Sequence, residues 1–190
     1  MYGAADDPYC YKGTSVLKNV PGIRDQRRLQ RFEAVMVAQR GIEPLPRGRL
    51  NAKHYRSVHH HLFQDVYRWA GRFRTVRTHK GQNTFCYPEH IATQMHTLFA
   101  DLQRADFLAG LPRNGFADQA AHFLAELNAI HPFREGNGRS QLAFMGLLAA
   151  SAGHSLTFER LMPDEFLAAM IESFSGSEQP LSEQLRQLMD

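Results

Sequence analysis

Nine residues, His131-Pro-Phe-Arg-Glu-Gly-Asn-Gly-Arg139, concentrate groups suited to proton transfer and anion binding. A neutral imidazole at His131 is the side chain best able to take a proton from a hydroxyl near neutral pH. Gly136 and Gly138 allow backbone angles denied to other residues, so that successive N–H groups can turn inward as a donor nest. Arg139 adds a planar fork of donors matched to phosphate oxygens, and the positive end of a following helix would add to it. Glu135 offers a hard oxygen to Mg2+ that keeps phosphates and water as its other ligands. Asn137 can donate its amide to a phosphate oxygen, and Phe133, apolar in a polar loop, is expected to anchor it in the core. A histidine before proline, or a Gly-Asn-Gly, taken alone is usually a helix end or a turn. Together they describe a base facing an anion cradle.

Helical elements must position this loop. Residues 116–131 carry apolar side chains at steps of three and four, and Pro132 blocks simple continuation, which places His131 at a helix end. A second apolar helix is expected from about Arg139 to Ala152, closed by Gly153. Asn51 can cap a helix over 51–70, with Tyr55, Val58, Leu62, Val66 and Trp69 on one face and Gly71 ending it. Another starts at Pro88 with the stripe Ile91, Met95, Leu98, Phe99 and Leu102. Helices near 25–40, 163–174 and 180–189 complete a mainly α chain. Between two of these, residues 73–87 have strand preference around Lys80-Gly81-Gln82-Asn83 and read as a β-hairpin.

A chain of 190 residues, 43% hydrophobic, suits one domain, with its core expected over roughly 51–175. Cys10 and Cys86 form no metal or disulfide pattern, and no apolar run is long enough to span a bilayer, so a cytoplasmic protein is expected. Net charge is +3, but residues 1–80 hold 16 Lys/Arg against 6 Asp/Glu, while residues 81–190 hold 6 against 13. The basic part can attract phosphates or an acidic partner; nucleic acid is not indicated, because the cations are scattered and no reading motif appears. His59-His60-His61 cannot converge on one ion from consecutive helical positions and reads as a solvated or partly packed surface.

The loop HPFREGNGR resembles the signature of the Fic family. Tyr11-Lys-Gly-Thr-Ser-Val-Leu-Lys-Asn19 and Phe63-Gln-Asp-Val-Tyr-Arg-Trp-Ala-Gly71 look like the Fic proteins of bacterial toxin–antitoxin pairs, so the likeness covers nearly the whole chain. The resemblance implies a Fic-type helical bundle with a β-hairpin flap over 73–87 that docks the target, Lys80 and Phe85 being candidates. It implies a protein adenylyltransferase that moves AMP from ATP to a Tyr, Thr or Ser hydroxyl. His131 would be the base, Glu135 the Mg2+ ligand, Asn137 and Arg139 phosphate binders, and Gly136 with Gly138 the anion hole. It further implies type II topoisomerase subunits as candidate targets.

One position departs from the family pattern GNGRxxR: Leu142 stands where the second arginine is expected, which removes a phosphate contact. The family's inhibitory motif, Ser/Thr-x-x-x-Glu-Gly/Asn, is missing, so the resemblance implies that a small antitoxin supplies an inhibitory helix in trans. Two other functions compete: a Fic-type enzyme with another nucleotide or kinase-like chemistry, and a catalytically silent partner in a regulatory complex. The kinase-like branch carries Lys where Gly138 stands, and intact His131, Glu135 and Arg139 argue against silence.

Overall fold

The computed structural model describes residues 7–80 and 83–190, the side chains of Lys80 and Asn83 excepted. Seven α-helices lie among them: α1 (Gln26–Gly41), α2 (Ala52–Phe63), α3 (Pro88–Arg104), α4 (Arg113–Ile130), α5 (Asn137–Ala152), α6 (Pro163–Ser173) and α7 (Gln179–Leu188). Two short antiparallel strands, β1 (His79–Lys80) and β2 (Asn83–Thr84), pair His79 with Thr84 and Lys80 with Asn83. Among the described residues no helix is long and apolar enough to cross a membrane.

Local chemistry accounts for the helix ends. The Asp25 carboxylate accepts from Arg28 N–H at 2.8 Å and the Asn51 amide oxygen from His54 N–H at 2.9 Å, each satisfying a donor that the first helical turn leaves open. Pro88 opens α3 with Glu89 in its first turn, and Ile91, Met95, Phe99 and Leu102 form its buried stripe. Gly153 closes α5 at φ 88°, its N–H reaching Ala149 and Ala150 carbonyls.

Helices α4 and α5 are buried on most sides and form the centre. Phe116, Phe123, Leu124 and Leu127 of α4 and Phe144, Met145 and Leu148 of α5 are inaccessible or nearly so. Around them Tyr55, Phe99 and Phe144 pack with ring centroids 5.4–6.0 Å apart. The core also takes in Leu29, Val37, Leu181 and Leu185, beyond the 51–175 range suggested by the apolar pattern.

Two elements differ from their sequence expectation. Helix α2 stops at Phe63, where a helix to residue 70 was expected. The chain then turns back along α2: Arg56 Nε donates to Gly71 O at 2.8 Å and His60 Nδ1 to Ala70 O at 3.2 Å. Val66 is buried and Trp69 half-buried within that turn, so a helical period runs on past the end of the helix. The hairpin is likewise shorter than 73–87. Arg74 NH1 and NH2 take the carbonyls of Val76 and Cys86, at 2.7 and 2.6 Å, which a longer ladder would have used. The turn residues Gly81 and Gln82 and the side chain of Lys80 lie outside the described residues.

Candidate functional site

His131 closes α4 in the left-handed region, φ 47° and ψ 61°, its N–H donating to Leu127 O at 3.1 Å. Such a conformation costs a non-glycine residue on the order of 1 kcal/mol or more and persists only where the surroundings over-determine it. Two neighbours do so here. The imidazole lies flat on the Phe85 ring, centroids 3.7 Å apart and planes 12° apart. Beneath it the buried Arg74 guanidinium donates through Nε to His131 O at 2.8 Å and through NH2 to Ile130 O at 3.2 Å. Its charge faces the negative end of the α4 dipole, and burial lowers its pKa.

The loop after His131 is shaped from within. Phe133 is inaccessible, and burying a ring of that size contributes about 2–3 kcal/mol. The Asn137 amide folds back on Phe133, its Oδ1 accepting from Phe133 N–H and its Nδ2 donating to Phe133 O, both at 2.9 Å. Asn137 is thus a brace for the turn, with one of its two amide hydrogens engaged. Gly136 has φ 83°, and a Cβ there would meet the Phe63 ring at 2.3 Å. Gly138 needs no such freedom: its φ is ordinary, it belongs to α5, and a Cβ would meet nothing within 4 Å. The cradle therefore rests on one left-handed glycine and the opening turn of a helix, where N–H groups and the dipole attract anions.

His59 is the clearest contributor that the sequence hid. Expected on a surface, it is fully buried, 3.7 Å from the Phe133 ring. Gly71 N–H donates to its Nδ1 at 2.9 Å, so Nε2 carries the proton and donates to Glu135 O at 2.9 Å. Burial holds its pKa down to about 3, so the ring stays neutral as it joins the α2 turn to the loop.

Charged groups complete the site. The Glu135 side chain is exposed, its Oε1 accepting from Gly136 N–H at 2.9 Å and lying 3.5 Å from Arg139. Arg139 stacks over Phe63 at 4.7 Å and pairs with Glu33 of α1 at 2.5 Å; the Tyr67 hydroxyl donates to the same carboxylate. Sequence reasoning had no partner for Arg139. Arg134 is held by Asp7 through bonds of 2.9 and 2.7 Å.

The imidazole of His131 borders two cavities. One, of about 520 Å³, is mostly apolar and lies between the start of α5 and α6, with Gly138 and Leu142 on its wall. The other, of about 390 Å³, is more polar and is lined by Asp7, Ser15, Arg77, Thr78 and Glu135. Phe85, one of the two docking candidates, is 6% exposed and borders both, its ring stacked on His131.

The family model described as Fic/DOC matches residues 49–149, the span that carries α2 through most of α5. The chain belongs to the Fic/DOC family. It is 51% identical over 189 residues to the probable protein adenylyltransferase y4lH of Sinorhizobium fredii, covering 99% of this chain and 98% of that protein. Identity to the probable protein adenylyltransferase Fic of Escherichia coli is 36% over 162 residues, covering 83% of this chain and 80% of that one. Among solved structures it resembles the BepC protein of Bartonella tribocorum with bound AMPPNP, at a TM-score of 0.87, 28% identity and 96% coverage of both chains. Within this Fic fold the loop 131–139 joins the two central helices, and α6 closes the apolar cavity from the opposite side.

Proposed function

We propose that this chain is a protein adenylyltransferase that transfers AMP from ATP to a hydroxyl of a target protein. The observation that carries this reading is the position of His131, whose ring borders an apolar cavity sized for a nucleoside and a polar one open to a side chain. Relatives named as adenylyltransferases, and a Fic structure with AMPPNP bound, support the same donor.

In this mechanism the α-phosphate lies against the N–H groups of the first turn of α5, with the base of the nucleotide in the apolar cavity. A target hydroxyl enters from the polar side. Its oxygen attacks the α-phosphorus while its proton passes to His131; the bond to the bridging oxygen breaks and pyrophosphate leaves. Alignment of the reactants and fixed donors at the developing charge supply the rate.

Glu135 fits a role as the protein's ligand to Mg2+. It is an exposed carboxylate beside the Gly136 turn, a hard oxygen suited to an ion whose other ligands would be phosphates and water. When bound, the ion would neutralise phosphate charge.

We infer in addition a single Fic domain over 1–190, working in the cytoplasm as the toxin of a toxin–antitoxin pair. The hairpin would dock the target, with a type II topoisomerase subunit as first candidate and a small antitoxin as inhibitor in trans. The toxin-like N-terminal segments and the missing inhibitory motif support this. The test is incubation with topoisomerase subunits and ATP labelled at the α- or γ-phosphate. Label from the α-position on protein is expected; label from the γ-position, or none, contradicts the proposal.

A further inference from the structure

The apolar cavity contains a polar group that the loop chemistry leaves unused. Gln141 lies on α5 one turn beyond Gly138 and is 2% exposed; Asn128 lies on α4 one turn before His131 and is 8% exposed. Both line the cavity. The Gln141 Nε2 is buried with no hydrogen-bond partner among the described residues. Leu142, Leu161, Phe166 and Met170, which form much of the remaining wall, have no polar side-chain atom to offer it. An amide stripped of water and left unpaired destabilises a fold, and a turn of the carboxamide about its last bond would bring the nitrogen to the cavity that the residue lines.

We propose that Gln141, with Asn128 on the neighbouring helix, hydrogen-bonds the polar edge of the donor's nucleobase and makes the enzyme select adenine. This rests on the cavity being the nucleoside site. A flat heterocycle presents apolar faces to the aliphatic and aromatic wall and a polar rim to a carboxamide; a ribose, polar on several sides, fits that wall poorly. A carboxamide supplies one donor and one acceptor, which matches adenine N7 and its N6 amino group, whereas guanine offers two acceptors along the same edge. Gln141 is thus a specificity-determining residue, separate from the groups that hold phosphate.

Calorimetric titration of the whole protein with ATP, GTP and 2′-deoxyATP, each with Mg2+, tests this on wild type and on Gln141→Met, with Gln141→Leu as a second apolar variant. Wild type is expected to prefer ATP to GTP and to bind 2′-deoxyATP as tightly as ATP. The variants should lose about tenfold in affinity for ATP, the scale of an unmade buried hydrogen bond, with GTP little changed. Their melting temperature without nucleotide should be equal or higher, because the unpaired amide has gone. An ATP-to-GTP ratio unchanged by the substitutions overturns the assignment. So does a loss confined to 2′-deoxyATP in wild type, which would move the contact to the sugar. Failure of wild type to bind any nucleotide would overturn the donor reading itself and this assignment with it.

Discussion

Arg74 Nε donates to the carbonyl oxygen of His131 at 2.8 Å, so the strained end of α4 is held by a buried guanidinium from the segment that leads into the hairpin. With its bonds to Val76, Cys86 and Ile130, that side chain ties the helix end to both sides of the hairpin base. Replacement by methionine leaves these carbonyls without donors and is expected to cost about 2–4 kcal/mol in denaturant unfolding. Below the melting transition, kcat should fall more than KM rises, because His131 loses its support while the cavity remains. Equal kcat in the variant would show that Arg74 only stabilises the fold.

His59 supports the other end of the loop, and its two bonds can be removed separately. His59→Gln can keep a donor toward Glu135 O, whereas His59→Asn can keep an acceptor for Gly71 N–H. If the loop contact matters for catalysis, the asparagine variant should lose about tenfold more kcat than the glutamine variant at similar thermal stability. The reverse order would place the contribution in the turn at Gly71.

The same histidine sets a pH dependence. Its pKa is lowered from 6.5 to about 3, so between those values the unfolded chain binds a proton that the folded chain refuses. Stability from this residue is complete above pH 6.5 and is lost as pH falls toward 3. Wild-type melting temperature should therefore drop between pH 7 and 5, and the drop should shrink in His59→Asn. An unchanged slope would assign the effect to other groups.

The loop was legible in the sequence because its chemistry is local: His131, Glu135, Gly136 and Arg139 lie within nine residues and between two strongly apolar helices. The supports were not, because they are distant in sequence. Nothing near Arg74 announces that its partners are carbonyls of Ile130 and His131; His59, four residues after Tyr55 and three before Leu62, shares the buried face of α2, but that spacing does not name Glu135 as its partner. The end of α2 was missed because Val66 and Trp69 keep its spacing while packing from a turn. Asn137 shows a further limit: its type suggested a phosphate donor, and nothing in its spacing showed that its amide also braces Phe133 four residues back.

The two loop glycines separate steric need from ligand access. Gly136→Ala adds a Cβ 2.3 Å from Phe63 at φ 83°, and should both destabilise the protein by about 2 kcal/mol or more and abolish transfer. Gly138→Ala meets nothing, so its melting temperature should hold while ATP affinity falls. A Gly138→Ala protein with unchanged affinity would remove Gly138 from the nucleotide wall.

On the proposed reading Glu33, paired with Arg139, would compete with phosphate for that guanidinium. Substitution by glutamine removes the opposing charge, and ATP affinity is expected to rise several-fold in titrations at low salt, with some loss of stability where Tyr67 donates to the carboxylate. A fall in affinity would mean that Glu33 orients Arg139 for the nucleotide and does not restrain it.

In the proposed reaction His131 accepts the target's proton while other groups hold the nucleotide. Single-turnover transfer from α-labelled ATP, at saturating nucleotide, measures it directly in wild type and His131→Ala. The variant is expected to bind ATP within a few-fold of wild type and to transfer at least about a hundredfold more slowly. Transfer by His131→Ala at the wild-type rate would contradict it.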